Sequence, residues 1–163
     1  MLGLSCLGTA CVMQEPTAVP APALERARFV STVVSVLDGD TVTVTHAGKV
    51  EKVRLVSIDC PESDQPFGSQ ATQLTKQLAL DKVVTVTDFG RDKYQRLLGE
   101  LVLPDGRVLN RELVREGFCW WYRKYAPENK GLERLEAEAR EGGKGLWADP
   151  HPVPPWEWRK QVR

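Results

Sequence analysis

From Arg28 onward the chain alternates between β-branched and polar positions. Phe29 to Leu37 is valine-rich and partly alternating, Asp38-Gly39-Asp40 interrupts it, and Thr41-Val42-Thr43-Val44-Thr45 alternates cleanly. A period of two over such runs predicts half-buried strands. Ala47-Gly48-Lys49 reads as a hairpin turn, and Val50 to Ile58 as a third strand ended by Pro61. The period then changes. Ser69 to Leu80 places Ala71, Leu74 and Leu78 on one helical face. Val83 to Thr87 and Leu97 to Leu103 return to strand patterning, the latter closed by Pro104-Asp105-Gly106. A second helix is expected from Asn110, a favoured N-cap residue. A third runs from about Asn129 to Glu141, buries Leu132, Leu135 and Ala139, and stops at Gly142-Gly143.

Five strands with a helix between the third and fourth predict an α+β domain, a five-stranded OB-type β-barrel with three helices. The expected organisation is a leader and Pro/Ala linker over 1–27, the domain over 28–148, and an extended tail over 149–163. Leu146 to Arg163 holds four prolines and three tryptophans. A chain of 163 residues, 42% hydrophobic and 27% charged, is ordinary for one globular domain. Twenty-two basic and 22 acidic residues balance, so any phosphate binding must be local rather than a property of the whole field.

Met1 to Met13 carries no charge and is rich in Leu, Gly, Ala and Cys. It is too short to span a bilayer. It resembles the apolar part of a secretory signal without the basic start, with Cys11 after Gly8-Thr9-Ala10 as a lipidation point. Export (secreted, periplasmic or lipid-anchored) is therefore expected over a cytoplasmic location, the alternative being an untargeted tail. Of the four cysteines, Cys60 and Cys119 lie in the domain. Two cysteines so far apart define no disulfide framework and are read as unpaired thiols. Pairing across the barrel is the alternative in an exported protein. No CxxC pair or Cys/His cluster indicates zinc.

Three segments concentrate charge. Asp38-Gly39-Asp40-Thr41 sits at a turn, where Asp-Gly is also a common turn pair. Arg54 to Glu62 gathers an arginine, an aspartate and a glutamate at a strand end, and by alternation Arg54 shares an otherwise apolar face with Ile58. Arg91 to Arg96 is a basic loop before the fifth strand. Together they supply carboxylates at Asp40, Asp59 and Glu62 and guanidinium groups at Arg54 and Arg96. Hydrolysis of a phosphodiester needs such a set. Oxygen ligands hold a hard cation that polarises the phosphoryl group. A further carboxylate activates water, and arginine forks stabilise the charge that builds up at phosphorus.

These segments, in this order and approximate spacing, resemble the three signatures of the staphylococcal nuclease (thermonuclease) family. Leu109-Asn110-Arg111-Glu112-Leu113-Val114-Arg115-Glu116-Gly117 resembles its late helix, and the resemblance runs from about Val30 to Trp147. It implies that Asp40 and Asp59 bind Ca²⁺ by carboxylate and Cys60 by its main-chain carbonyl. It further implies Glu62 as general base, and Arg54 and Arg96 gripping the scissile phosphate. Asp38 and Thr41 would support the metal site from behind, and Lys93, Tyr94 and Tyr125 would line the nucleotide pocket. Single- and double-stranded DNA and RNA would be the substrates, cut to 3′-phosphate products. Nothing in the sequence demands more than a monomer, and no obligate protein partner is expected.

Three positions depart from the family. Cys60 stands in place of threonine, Gln95 in place of a glycine before Arg96, and Arg123 in place of an aromatic pocket residue. The aromatic run Cys119-Trp120-Trp121-Tyr122 is read as packing of the barrel rim, with base stacking as the alternative. A binding module that had lost its chemistry is the rival reading. It predicts a missing carboxylate or arginine, and none of the five is missing.

Overall fold

The computed structural model describes residues 26–162. The expectations for the leader, including Cys6 and Cys11, lie outside the described residues. Five strands close into a barrel: β1 (Arg28–Asp38), β2 (Thr41–His46), β3 (Lys49–Leu55), β5 (Val83–Arg91) and β6 (Leu97–Val102). Their order around the wall is β1-β2-β3-β6-β5, with β3 and β6 parallel and the other neighbours antiparallel. Two register shifts in β1, between Val33 and Ser35 and between Val36 and Asp38, account for its imperfect alternation. Such bulges bend a strand sharply enough for β1 to pair with both β2 and β5. Inside, Val33, Val42, Val44, Val53, Val86 and Leu101 are fully buried, as the valine-rich alternation requires.

The third strand is shorter than expected. It ends at Leu55, the chain turns at Val56-Ser57 with Ser57 at φ 66°, and Ile58–Asp59 forms a separate strand, β4. β4 pairs with β7 (Trp120–Trp121), outside the barrel. Arg54 and Ile58 therefore do not share a strand face. Ile58 turns into the core, 1% exposed, while its carbonyl accepts from Arg54 Nη1 at 3.0 Å.

Helix α1 (Gly68–Ala79) lies on β1 and buries Ala71, Thr75 and Ala79, with Leu74 and Leu78 half-buried beside them. Helix α2 spans Leu109–Arg115, and its N-cap is Val108, not Asn110. The Asn110 side chain instead sits inside the fold. Its amide donates to the carbonyls of Val56 and Gly99 and accepts from the Leu101 amide, tying the turn after β3 to β6. Helix α3 (Lys130–Glu141) is capped by Asn129, whose side chain accepts from the Leu132 amide. Glu136 of α3 is buried; it accepts from the Trp121 amide and pairs with Arg123.

The tail is not simply extended. After a 3-10 turn at Gly145–Ala148, the segment Pro155–Gln161 forms a fourth helix, α4, with proline at its first position, where the missing N–H costs nothing. Its aromatic side of the core is a separate cluster of Trp120, Ala139, Leu146 and Trp147, joined by Phe67 and Trp156. Among the described residues no helix is long and apolar enough to cross a membrane.

Cys60 and Cys119 are joined as a disulfide across 59 residues of sequence, which corrects the reading of two free thiols. Sequence separation hid their proximity; β4–β7 pairing creates it, since Cys60 follows β4 and Cys119 precedes β7. Closing a loop of that length restricts the unfolded chain by about 4 kcal/mol in the chain-entropy model. Cys119→Ala is accordingly expected to lower unfolding stability by about 2–4 kcal/mol, read by urea denaturation of oxidised wild-type and variant protein. Equal midpoints would show that the crosslink adds nothing.

Candidate active site

The site is assembled where the β1–β2 turn, the end of β3, β4 and the following loop meet. Asp38 closes the turn by accepting from the Asp40 amide at 3.0 Å. Gly39 is required by space rather than by an unusual φ. A Cβ there would stand 2.7 Å from Cys60 Cβ and 2.9 Å from Ala71 Cβ. Its carbonyl accepts from Thr75 Oγ1 at 2.7 Å, so the turn is wedged against α1. That fixes Asp40, which is 6% exposed. One carboxylate oxygen faces Arg54 Nε at 3.1 Å and accepts from Thr41 Oγ1 at 3.2 Å. The other accepts from the Cys60 amide at 2.8 Å.

Arg54 faces outward from β3, opposite Thr41 in the register, while Val53 and Leu55 on either side point inward. Its Nη1 donates to the carbonyls of Leu55 and Ile58, and its Nη2 to Asp59 Oδ1 at 2.9 Å. With Nε on Asp40, four of the five N–H groups of the fork are committed to holding the site together. Asp59 is 1% exposed. Glu62 lies two residues beyond Cys60, its amide held by Gln65 Oε1 at 3.2 Å and its carbonyl accepting from the Gln65 amide at 3.0 Å. Gly68 is packed so closely under the Glu62 carbonyl that a Cβ would collide with it.

Arg96 stands one residue before β6 and shares the outward parity of Leu98, the register partner of Arg54. It is aimed by Asp92, whose carboxylate takes its Nε at 2.8 Å and the amides of Tyr94 and Arg96 at 2.8 and 3.0 Å. Against some desolvation, those bonds hold the Asp92 carboxyl below its ordinary range. The tie is thus complete above the usual carboxylate pKa and is lost only as the pH falls below it. Among the described residues the terminal nitrogens of Arg96 have no partner, so its fork is open. Gln95 adopts φ 64°, the left-handed conformation that a glycine takes without strain, and so keeps the turn that orients Arg96. Tyr94 is 67% exposed, with Lys93 Nζ 4.9 Å and the Arg96 guanidinium 5.6 Å from its ring centre.

Thus Asp38, Asp40, Thr41, Arg54, Asp59, Cys60 and Glu62 converge on one site, with Lys93, Tyr94 and Arg96 on the adjoining turn. Tyr125 stands at the outer edge, on the surface, its ring edge-on to Tyr122 at 4.8 Å. Trp120 and Trp121 are buried packing residues, as expected, but Tyr122 belongs to the site's surroundings. Burial, then the Asp59 carboxylate, raises its phenol above the ordinary value. Arg123 is drawn away to Glu136.

One residue of this cluster was not visible in the sequence. Arg159, on α4, reaches Asp59 through Nη2 at 2.7 Å and Glu62 through Nη1 at 2.5 Å. No spacing relates position 159 to positions 59 and 62. The one signal in the sequence was the pair Trp156 and Trp158 just before it, of which Trp156 packs on Trp120 and Tyr122.

The oxygen-rich donor set fits a hard cation such as calcium. Four carboxylates (Asp38, Asp40, Asp59, Glu62) meet two guanidinium groups (Arg54, Arg159). Burial pushes Asp40 up to about 7 even with Arg54 opposing, and the neighbouring Asp38 and Asp59 carboxylates add to the rise. Among the described residues no group of three or more His, Cys, Asp or Glu side chains is disposed to hold a metal. Main-chain and water oxygens would therefore complete the coordination of an Asp40–Asp59 pair.

Residues 52–149 match the model of the staphylococcal nuclease homologue family. An uncharacterized endonuclease of Escherichia coli O157:H7 is 47% identical over 127 residues, covering 78% of this chain and 82% of that protein. A micrococcal nuclease of Shigella flexneri is 41% identical, covering 82% of each chain. An uncharacterized endonuclease of Haemophilus influenzae is 38% identical, covering 86% of this chain and 79% of that protein. With its barrel, its clustered carboxylates and its two arginines in family order, the chain belongs to the staphylococcal nuclease family and is a nuclease.

Proposed function

We propose that this protein hydrolyses phosphodiester bonds of DNA and RNA in a calcium-dependent reaction that leaves 3′-phosphate and 5′-hydroxyl ends. The observation that carries the reading is the Asp40–Arg54–Asp59 network beside Glu62, with the open fork of Arg96 on the adjoining turn. Asp40, Asp59 and the Cys60 carbonyl would hold calcium. Bound there, it supplies Lewis-acid polarisation of a phosphoryl oxygen and neutralises charge. Glu62 takes the proton from the attacking water. The two terminal nitrogens of Arg96 and the one uncommitted N–H of Arg54 donate to the non-bridging oxygens as negative charge accumulates. The bond from phosphorus to the 5′-oxygen breaks opposite the incoming water, and the departing oxygen takes a proton from solvent to give the 5′-hydroxyl. Lys93 and Tyr94 extend this surface toward the neighbouring nucleotide, and Tyr125 offers a ring face for a base.

An exported location belongs to the same proposal, supported by the Cys60–Cys119 disulfide, which persists in oxidising compartments.

Cleavage of a 5′-labelled oligonucleotide tests the product chemistry. The expected fragments resist polymerase extension until a phosphatase removes a 3′-phosphate. Fragments extended without phosphatase treatment would contradict the assigned direction of cleavage. A second test concerns aim. Asp92→Ala frees Arg96 and is expected to reduce turnover about 10- to 100-fold, since small misplacement of a catalytic group is costly. Thermal stability should fall only slightly, because the lost bonds lie within one surface turn. Unaltered turnover would show that Arg96 is oriented by something else.

A further inference from the structure

Arg159 has no place in the chemistry just described, yet it contacts both Asp59 and Glu62. Its fork takes Asp59 from both sides, Nη1 to Oδ1 at 3.3 Å and Nη2 to Oδ2 at 2.7 Å, while Nη1 also reaches Glu62 Oε1 at 2.5 Å. Asp59 Oδ1 in addition accepts from Arg54. A carboxylate offers about four lone-pair positions, and three are filled by guanidinium N–H groups. A calcium ion needs an oxygen at about 2.3–2.6 Å. It would meet the Arg159 charge within hydrogen-bonding distance of the same oxygens.

The helix that carries Arg159 is firmly seated. Gln65, from the Glu62 loop, donates to the Val153 carbonyl at 2.6 Å just ahead of α4. Trp156 stacks on Tyr122 with planes 1° apart and centres 5.2 Å apart, and stands edge-on to Trp120 at 5.7 Å. An arginine on a frayed tail would lose considerable side-chain entropy in reaching Asp59. Here α4 holds it in place beforehand, so its local concentration at Asp59 is high at every calcium level.

We propose that Arg159 is a tethered cation that competes with calcium for Asp59 and thereby sets the calcium concentration at which the site fills. The idea rests on the calcium reading of Asp40 and Asp59. When the metal takes Asp59, the Arg159 fork must leave that carboxylate.

Direct calcium titration of the full chain by calorimetry, without nucleic acid, separates the possibilities. Arg159→Gln is expected to bind calcium about tenfold more tightly than wild type, on the scale of a hydrogen-bonded, partly exposed ion pair. Arg159→Lys keeps the charge but cannot hold Asp59 on both oxygens, and should fall between the two. Lys160→Gln removes the same charge one residue along, on an exposed side chain, and should leave the affinity unchanged. Circular dichroism melts establish that each variant is folded. Equal affinity in wild type and Arg159→Gln, weaker binding in Arg159→Gln, or an equal gain in Lys160→Gln would each overturn the competition while leaving the calcium site standing. Absence of calcium binding in both wild type and Arg159→Gln would overturn the calcium reading and this proposal together.

Discussion

Arg54→Ala is expected to reduce turnover by at least 10²–10³-fold and to destabilise the fold as well. The rate loss follows from removing a preorganised donor at the developing charge, an effect typically of that size. The stability loss has a separate origin. Among the described residues Arg54 alone pairs with both Asp40 and Asp59, and it also gathers the carbonyls of Leu55 and Ile58 across the break between β3 and β4. Removing one partner of a buried pair leaves uncompensated charge, at a cost of about 3–5 kcal/mol. The lower end is expected, for two reasons. Asp59 keeps Arg159, and Asp40, already pushed up to about 7, can take a proton. Arg54→Lys separates the two effects. It retains a charge but cannot span two carboxylates and two carbonyls, so it should restore part of the stability and little of the rate. Urea unfolding and single-turnover cleavage together provide the check. Arg54→Ala turning over within a few-fold of wild type would remove Arg54 from the chemistry.

Glu62→Gln is expected to lower turnover by about 10²–10⁴-fold, the usual worth of a positioned general base. Nucleic-acid binding should survive. The amide keeps the shape of the side chain, and its carbonyl oxygen can still accept from Arg159, so the loop between Pro61 and Gly68 has no reason to move. The loop is held through the Glu62 main chain and Gln65, neither of which changes. The measurement is single-turnover cleavage alongside equilibrium binding of a single-stranded oligonucleotide. Unchanged turnover with unchanged binding would show that water is activated elsewhere.

Much of the barrel was legible because a closed β-wall writes its period into the chain. Val42, Val44 and Val53 fell on the inner face as their alternation required. The boundaries that were missed share a cause: tertiary bonds overrode a local pattern. The run from Val50 to Ile58 looked continuous because no glycine or proline interrupts it, but the break at Val56-Ser57 is held by Asn110, whose amide reaches the Val56 carbonyl from a distant helix. The same commitment explains why Asn110 is not the cap of α2. Cys60 and Cys119 looked independent because nothing in the spacing announces a two-stranded ladder between β4 and β7. The tail looked extended because its prolines dominate the composition; Pro155 in fact opens a helix.

The candidate site divides along the same line. Asp38, Asp40, Arg54, Asp59 and Glu62 could be chosen because they sit on short, charged, chemically unusual segments. Arg159 could not, because an arginine between a tryptophan and a lysine near a chain end carries no local sign of the carboxylates it meets.

Degradation of single-stranded DNA by the purified protein, with calcium and then with EGTA, is the decisive measurement. The prediction is rapid cleavage in calcium and its loss on chelation. Undiminished cleavage in EGTA would contradict the assigned role of Asp40 and Asp59, and a folded protein that binds the DNA in calcium without cutting it would contradict the nuclease mechanism built on Glu62 and Arg96.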